Sequence, residues 1–440
     1  MASLSPLPSP DFDLSPEALV AARPWLKRHA MDGLLLEDVP LNAIADALGT
    51  PTYVYSAGTI RARLAALTNA LKGLDCQVHF AVKANDHLAV LRLMQQGGAG
   101  ADVVSGGEFL RARRAGIDAA HIVFSGVGKT ADEIRLALSQ DIYQLNVESA
   151  EELDTISALA TAMGKTADIV LRINPDVDAG THAKITTGKA DNKFGIQYDD
   201  AAALYAHAAT LPGLRPQGLA LHIGSQILNM APYRAAFARA AELILHLRAS
   251  GQSVTRMDCG GGIGILYADA PEASPEAFAG AIRHAFGGMG LKLATEPGRW
   301  LVGPAGLLLS SVILTKAEGR FTVLDAAMND LIRPAMYDAF HAIVPVGPGN
   351  SGPLSPTDLV GPVCETGDTF ARARPMPSLA AGARVAILEA GAYGAVMGSS
   401  YNSRPLPAIA MVDGANWATI RARQNLEALW EGEMLPNFLG

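Results

Sequence analysis

Cysteine is scarce in this chain. The three in 440 residues, Cys76, Cys259 and Cys364, are odd in number and far apart. Such a set is no disulfide framework, and it holds no Cys-x-x-Cys pair for a structural zinc site, so the chain fits a reducing compartment. Long apolar runs are missing as well. The longest, such as Leu307–Leu314, fall far short of the ~20 residues a membrane helix needs. Met1–Pro10 has neither a basic stretch nor an apolar core, the two marks of a secretory leader. No block of Lys and Arg stands out, and the formal net charge is −8, which argues against a nucleic-acid partner. The expectation is a cytoplasmic protein with no membrane and no nucleic-acid partner, its first dozen Ser- and Pro-rich residues a loose tail.

What is present is a globular composition, 49% hydrophobic against 18% charged. A chain of 440 residues exceeds one ordinary core, so a large domain and a smaller one are expected. From about residue 50 to 300 one pattern recurs: a short apolar run ends in polar or Gly residues, and a helical stretch follows. The runs are Val78–Lys83, Ala101–Ser105, Ile122–Ser125, Gln144–Val147, Ile169–Asn174, Leu219–Gly224, Arg256–Cys259 and Leu291–Glu296. Eight strands alternating with helices over about 250 residues have the rhythm of a (β/α)8 barrel. An open doubly wound sheet alternates in the same way; the count of eight favours the barrel. After residue 300 the rhythm changes to strand-like runs, at Leu307–Leu314, Phe321–Asp325, Leu359–Cys364, Val385–Glu389 and Ala408–Val412, between Gly- and Pro-rich turns. Helical periodicity returns only at Trp417–Trp430. The domains expected are 1–48, a tail and a segment around Leu34–Leu36 that joins a β-rich domain; 49–300, the barrel; and 301–440, the β-rich domain itself.

Reactive residues cluster at the ends of the barrel runs, where barrels of this type build their sites. Lys83 ends the first, in Ala81-Val82-Lys83-Ala84-Asn85. Desolvation there makes a Schiff-base lysine, although on spacing alone a lysine that snorkels to water is the more common reading. Gly260-Gly261-Gly262 follow the seventh, as a phosphate-binding nest or a pliable turn. Glu296-Pro297-Gly298-Arg299 closes the eighth: a carboxylate for a pyridine nitrogen and an arginine for a carboxylate, or a structural ion pair. His222-Ile223-Gly224-Ser225-Gln226 offers a flat ring and a hydroxyl. In the second domain Cys364-Glu365-Thr366-Gly367-Asp368 sets a thiol beside a carboxylate, and Gly391-Ala392-Tyr393-Gly394 sets a phenol in a turn. No metal-ligand spacing appears.

Taken in order, these motifs resemble the fold-type III pyridoxal-phosphate decarboxylases, whose barrel is similar to that of alanine racemase. Arg172–Asp178, Thr181–Gly188, Asp191–Gly195, Met328–Tyr337 and Tyr401–Pro405 resemble the diaminopimelate decarboxylases within that group, and the likeness runs from about Pro51 to Val412. Thr366 and Ala327 depart from the family's usual Ser and Gly. The resemblance implies decarboxylation of meso-diaminopimelate to L-lysine. Lys83 would hold pyridoxal 5'-phosphate as an internal aldimine, and His222 would stack on its ring. Ser225, Gly261, Gly262, the Glu296-Pro297-Gly298-Arg299 turn and Tyr393 would bind phosphate, and Glu296 would face the ring nitrogen. Arg299, Arg333, Tyr337, Glu365 and Tyr393 would bind substrate. Cys364 would reach into a partner's site and supply a proton, which makes a homodimer necessary. The alternatives are a related decarboxylase of ornithine, arginine or carboxynorspermidine, an amino-acid racemase, and a non-catalytic pyridoxal-phosphate-binding regulator. The two arginines favour a substrate with a distal carboxylate, and Glu296 speaks against the racemase.

Overall fold

The computed structural model describes residues 12–178, 193–268, 272–348 and 352–439. The expected tail and the Thr181–Gly188 and Asp191-Asn192 stretches lie outside them. The chain divides into two compact units, one of 60–266 and 272–302, the other of 12–59, Tyr267, Ala268 and 303–439 among the described residues.

The first unit is a closed barrel of eight parallel strands: β1 Cys76–Ala81, β2 Gly100–Val103, β3 Ile122–Phe124, β4 Gln144–Val147, β5 Ala167–Asn174, β6 Leu214–Ala220, β7 Arg256–Asp258 and β8 Lys292–Thr295. Each pairs with the next, and β8 pairs back onto β1 with Leu293 opposite Cys76. Each of the eight expected runs overlaps one strand. β1 and β6 begin and end two to five residues earlier than the runs Val78–Lys83 and Leu219–Gly224 suggest. The first ladder stops at Ala81 because its N–H turns to the carbonyl of Pro297 (3.1 Å) in the loop after β8. Lys83 therefore sits in a single 3-10 turn, Val82–Ala84, just beyond the strand.

Helices return the chain from one strand to the next, and their starts are written in side chains. Ser105 caps Gly106–Arg114, Ser149 caps Ala150–Ala162, and Ser274 caps Pro275–Phe286, each hydroxyl accepting a first-turn N–H. Thr130 and Glu133 form a reciprocal capping box ahead of Ala131–Ser139. The buried faces, for instance Ile134, Ala137 and Leu138, or Leu153, Ile156 and Ala160, cover strands that are themselves apolar on both sides. Tyr233, Phe237, Phe278 and Phe286 lock two neighbouring helices together, with ring centroids 5.0–6.3 Å apart. Each ring buried this way contributes about 1.5–3 kcal/mol.

The second unit is built on a sheet ordered Thr369–Met376, Ser355–Val360, Phe321–Leu324, Gly306–Lys316, Thr52–Ser56, Ala408–Asp413 and Asn416–Arg421. Arg384–Ile387 and Ile343–Pro345 join it beside Gly306–Lys316. Residues 49–59 belong here, not with the barrel: Thr52–Ser56 lies between Gly306–Lys316, antiparallel, and Ala408–Asp413, parallel. Gly33–Leu36 is the middle strand of a small sheet in the same unit, as the Leu34–Leu36 segment suggests. The helical reading of Trp417–Trp430 is corrected. Gly414, at φ +62, turns the chain into a hairpin, and Asn416–Arg421 pairs with Ala408–Asp413; only Glu427–Leu429 makes a 3-10 turn. The strand expected to reach Cys364 ends at Val360, because Asp368 folds back and accepts the N–H of Val363 at 2.7 Å. No helix among the described residues is long and apolar enough to cross a membrane.

Candidate active site

The C-terminal ends of β1–β8 carry most of the unusual chemistry of the first unit. The Lys83 ammonium lies 2.7 Å from Oδ2 of Asp102, on the next strand, whose side chain is fully buried. The other oxygen of Asp102, Oδ1, is buried with no hydrogen-bond partner among the described residues. Close by, Glu108 accepts the N–H of Val104 at 2.9 Å. Burial pushes its carboxyl up to about 7, helped by the charges of Asp102 and Asp86 and opposed by the Val104 N–H and Lys83.

Glu296, just past β8, is buried. Its Oε1 accepts from Ser125 Oγ (3.3 Å) and Asn146 Nδ2 (3.2 Å). Burial holds this carboxyl well above the usual carboxylate range, with the charges of Asp102 and Asp258 acting in the same sense and Lys83 against. Loss of the Glu296 proton is thereby disfavoured.

The glycine turn after β7 is fixed by contact, not left pliable. A Cβ on Gly260 would stand 2.1 Å from the carbonyl oxygen of Leu221, one on Gly261 2.0 Å from that of Glu296, and one on Gly262 2.1 Å from that of Gly224. The turn's carbonyls are engaged: Gly260 O accepts from Glu296 N, Gly261 O from Tyr233 Oη, and Gly262 O from Ile227 N. The N–H groups of Gly261 and Gly262 donate to nothing among the described residues. Two unspent donors in a glycine nest are what an anion requires. Beside them Arg299, buried, donates to Ser225 Oγ at 3.2 Å. Pro297 receives the Ala81 N–H, and Gly298 packs on Ala81 and Ala84, where a Cβ would meet side chains at 3.1 and 2.9 Å, so the Lys83 turn and the Glu296 turn lie against each other.

His222 follows β6 by two residues. Burial first, then the charges of Arg172 and Lys83, lower its pKa well below the ordinary value, which keeps the ring neutral. Arg172 is held by Glu148 at 2.8 Å, and Glu148 also takes the N–H of Gly195.

Of the residues singled out in the sequence, Lys83, His222, Ser225, Gly261, Gly262, Glu296, Pro297, Gly298 and Arg299 are gathered in this one unit. The others lie in the second unit. Arg333 is fully buried, with Nη1 2.7 Å from Nε2 of His341 and its guanidinium 4.6 Å from the centre of the Tyr267 ring. Tyr337 ends the same short helix, Arg333–Tyr337. Cys364 and Glu365 are exposed in the turn that Asp368 closes, where Glu365 accepts from Tyr401 Oη at 2.6 Å. Tyr393 is half-buried at φ +54. Sequence reasoning passed over Asp102, Ser125, Asn146, Glu148, Arg172 and Asp258. A signal was there: Asp102 and Asn146 are polar residues set singly between apolar neighbours in their strands, and Asp258 follows apolar Met257.

Pyridoxal phosphate asks for an amine, a dianion cradle and a proton-bearing group for its ring nitrogen. Lys83, the open amides of Gly261 and Gly262, and Glu296 fit those three demands.

The comparisons with known proteins agree. The model of the family "Pyridoxal-dependent decarboxylase, pyridoxal binding domain" matches residues 57–303. The chain is similar to the diaminopimelate decarboxylase of Zymomonas mobilis, 49% identical over 413 residues, which cover 92% of this chain and 98% of that protein. It is also similar to the crystal structure of diaminopimelate decarboxylase from Helicobacter pylori complexed with L-lysine, with a TM-score of 0.87 at 40% identity over 89% of this chain and 98% of that one. The structure of the M. jannaschii diaminopimelate decarboxylase with L-lysine gives a TM-score of 0.90 at 31% identity, over 95% and 99% of the two chains. On this family match, and on identity sustained over nearly its whole length, the chain belongs to the diaminopimelate decarboxylase family of pyridoxal-dependent decarboxylases.

Proposed function

We propose that this protein uses pyridoxal 5'-phosphate to remove one carboxyl group from meso-diaminopimelate, releasing CO2 and L-lysine. The observation that carries the reading is the presence, at one barrel mouth, of the Lys83–Asp102 pair, the open Gly261 and Gly262 amides and the buried Glu296. The lysine seen in the H. pylori and M. jannaschii complexes is the product this reaction would leave.

The cofactor, when bound, supplies an electron sink for the electrons left by the departing carboxylate. The chain's own groups do the rest. Lys83 offers the amine, and Asp102, one hydrogen bond away, takes the proton that the amine must lose to become a nucleophile. Gly261 and Gly262, with Ser225, hold the phosphate. Glu296 keeps a proton at the ring-nitrogen end. His222, neutral, gives an uncharged face for stacking. Arg299, Arg333, Tyr337, Glu365 and Tyr393 bind substrate, the arginines answering carboxylates. Cys364, a free thiol on an exposed turn, supplies the proton to the carbon that lost CO2, reaching a site on a second copy of the chain.

The working form is accordingly a homodimer, in the cytoplasm. Free cysteines and the lack of a membrane-crossing helix among the described residues support that location. Mixing Lys83→Ala and Cys364→Ala subunits tests the shared site: activity absent from each variant alone returns in the mixture, and no recovery would contradict it. The substrate is tested by offering the loaded enzyme meso-diaminopimelate, ornithine, arginine and carboxynorspermidine in parallel. Turnover of diaminopimelate alone is expected; turnover of another amine instead would overturn the assignment.

A further inference from the structure

We propose that Asp258 is a positioning residue for the ring-nitrogen end of the site: it forms with Glu296 a buried carboxyl pair that holds one proton, and it ties that pair to the glycine turn. This deepens the pyridoxal-phosphate reading and rests on it only for the pair's use, not for its existence.

The geometry is specific. Asp258 ends β7 and Glu296 follows the adjacent β8, so both side chains come to one place. Both are buried. The two carboxyls meet at a single amide nitrogen, Nδ2 of Asn146, and two buried carboxyls gathered at one site do not both ionise. The Asn146 amide braces both, donating to Glu296 Oε1 at 3.2 Å and to Asp258 Oδ2 at 3.4 Å. Ser125 donates to Glu296 Oε1 and itself accepts from Asn146 at 3.0 Å. Gln144 donates to Asn146 Oδ1 at 2.8 Å and stands 3.5 Å from Asp258 Oδ2. The other oxygen of Asp258, Oδ1, takes the N–H of Gly260 at 3.0 Å, the first residue of the glycine turn. One side chain thus braces both the turn that binds phosphate and the carboxyl that faces the ring.

The surrounding charges favour a single shared proton. Asp102 adds a negative charge facing both carboxyls, and Lys83 is the cation acting on Glu296. Cys76, Cys259 and Tyr143 also face Asp258, and burial raises all three, Cys76 to about 12, so they stay neutral. Ionising both members would put three buried anions around one ammonium, which burial opposes. The pair therefore holds one negative charge and one proton between its two carboxyls at the ring-nitrogen end of the site. Asp258 acts through Asn146, which it shares with Glu296, and through Gly260.

The test uses infrared spectra of the cofactor-free protein at pH 7, each variant subtracted from wild type. Glu296→Gln, similar in shape, is expected to remove a protonated-carboxyl band. Asp258→Asn is expected to remove the same band at pH 7 while the protein stays folded, because an amide at 258 favours an ionised Glu296; its midpoint falls by about two pH units or more. The wild-type band needs no variant at Asp258: it is expected to persist above the ordinary carboxylate range. A wild-type minus Glu296→Gln difference with no such band, a band that titrates near pH 4, or an Asp258→Asn band unchanged from wild type would overturn the proposal. None of these readings depends on the substrate, so failure of the pair and failure of the diaminopimelate assignment are separable.

Discussion

The ammonium of Lys83 and the fully buried carboxylate of Asp102 meet at 2.7 Å across two neighbouring strands of the barrel. The pair sets the first prediction. Lys83→Ala abolishes turnover and the visible absorbance of a covalently held cofactor. Asp102→Asn keeps a hydrogen-bond partner for Lys83 but removes the proton acceptor. It slows attachment of pyridoxal phosphate by about 10²-fold or more, a general-base loss, read from the growth of that absorbance after mixing. An unchanged rate would remove Asp102 from the role.

Gly261 has no room for a methyl group, since a Cβ would stand 2.0 Å from the Glu296 carbonyl oxygen. Gly261→Ala pushes the turn off that carbonyl at a cost of about 1–3 kcal/mol and weakens cofactor binding, measured by equilibrium titration. Gly280, within the helix Pro275–Phe286, has nothing within 4 Å of its would-be Cβ. Gly280→Ala leaves binding alone and raises stability by up to about 1 kcal/mol.

Glu108 sets a pH dependence. Its folded-state pKa is raised from 4.5 to about 7. The unfolded chain therefore gives up this proton first as pH rises. The contribution of Glu108 to stability is fully present below pH 4.5 and is lost as pH climbs to about 7. Glu108→Gln removes the titration. Denaturant midpoints of wild type, relative to the variant, fall between those two pH values and are level outside them. A constant difference would contradict the raised pKa.

In the second unit Arg23 and Glu389 form a fully buried ion pair, with Nε–Oε1 at 2.6 Å and Nη2–Oε2 at 2.9 Å. Arg23 also donates to the carbonyls of Leu19 and Tyr267. Arg23→Ala strands a buried carboxylate and lowers stability by about 3–5 kcal/mol, seen as a lower thermal midpoint. Arg23→Ala combined with Glu389→Gln recovers part of the loss, since no charge is then stranded.

The barrel was legible because strands covered on both faces read as short apolar runs, and the residues that end them, Lys83, His222 and Glu296, stand out at regular places. The β-rich unit was less so. Thr52–Ser56 looks in sequence like the opening of the barrel, and only its pairing with strands more than 250 residues away assigns it elsewhere. Asn416–Arg421 carries apolar residues that mimic a helical spacing until the turn at Gly414 makes it a hairpin. The network under Glu296 was illegible for a similar reason. Ser125, Asn146 and Asp258 come from three strand ends, and nothing local reveals that barrel closure faces them toward one carboxyl. Arg23 and Glu389, 366 residues apart, could be paired only by the fold.

The most direct test of the central claim is a stoichiometry. The purified protein, loaded with pyridoxal phosphate, is given meso-diaminopimelate, and CO2 and L-lysine are counted together, with Lys83→Ala in parallel. One CO2 for each lysine, and neither from Lys83→Ala, is the result expected. Lysine formed equally well without Lys83, or no lysine from a fully loaded wild-type enzyme, would contradict it.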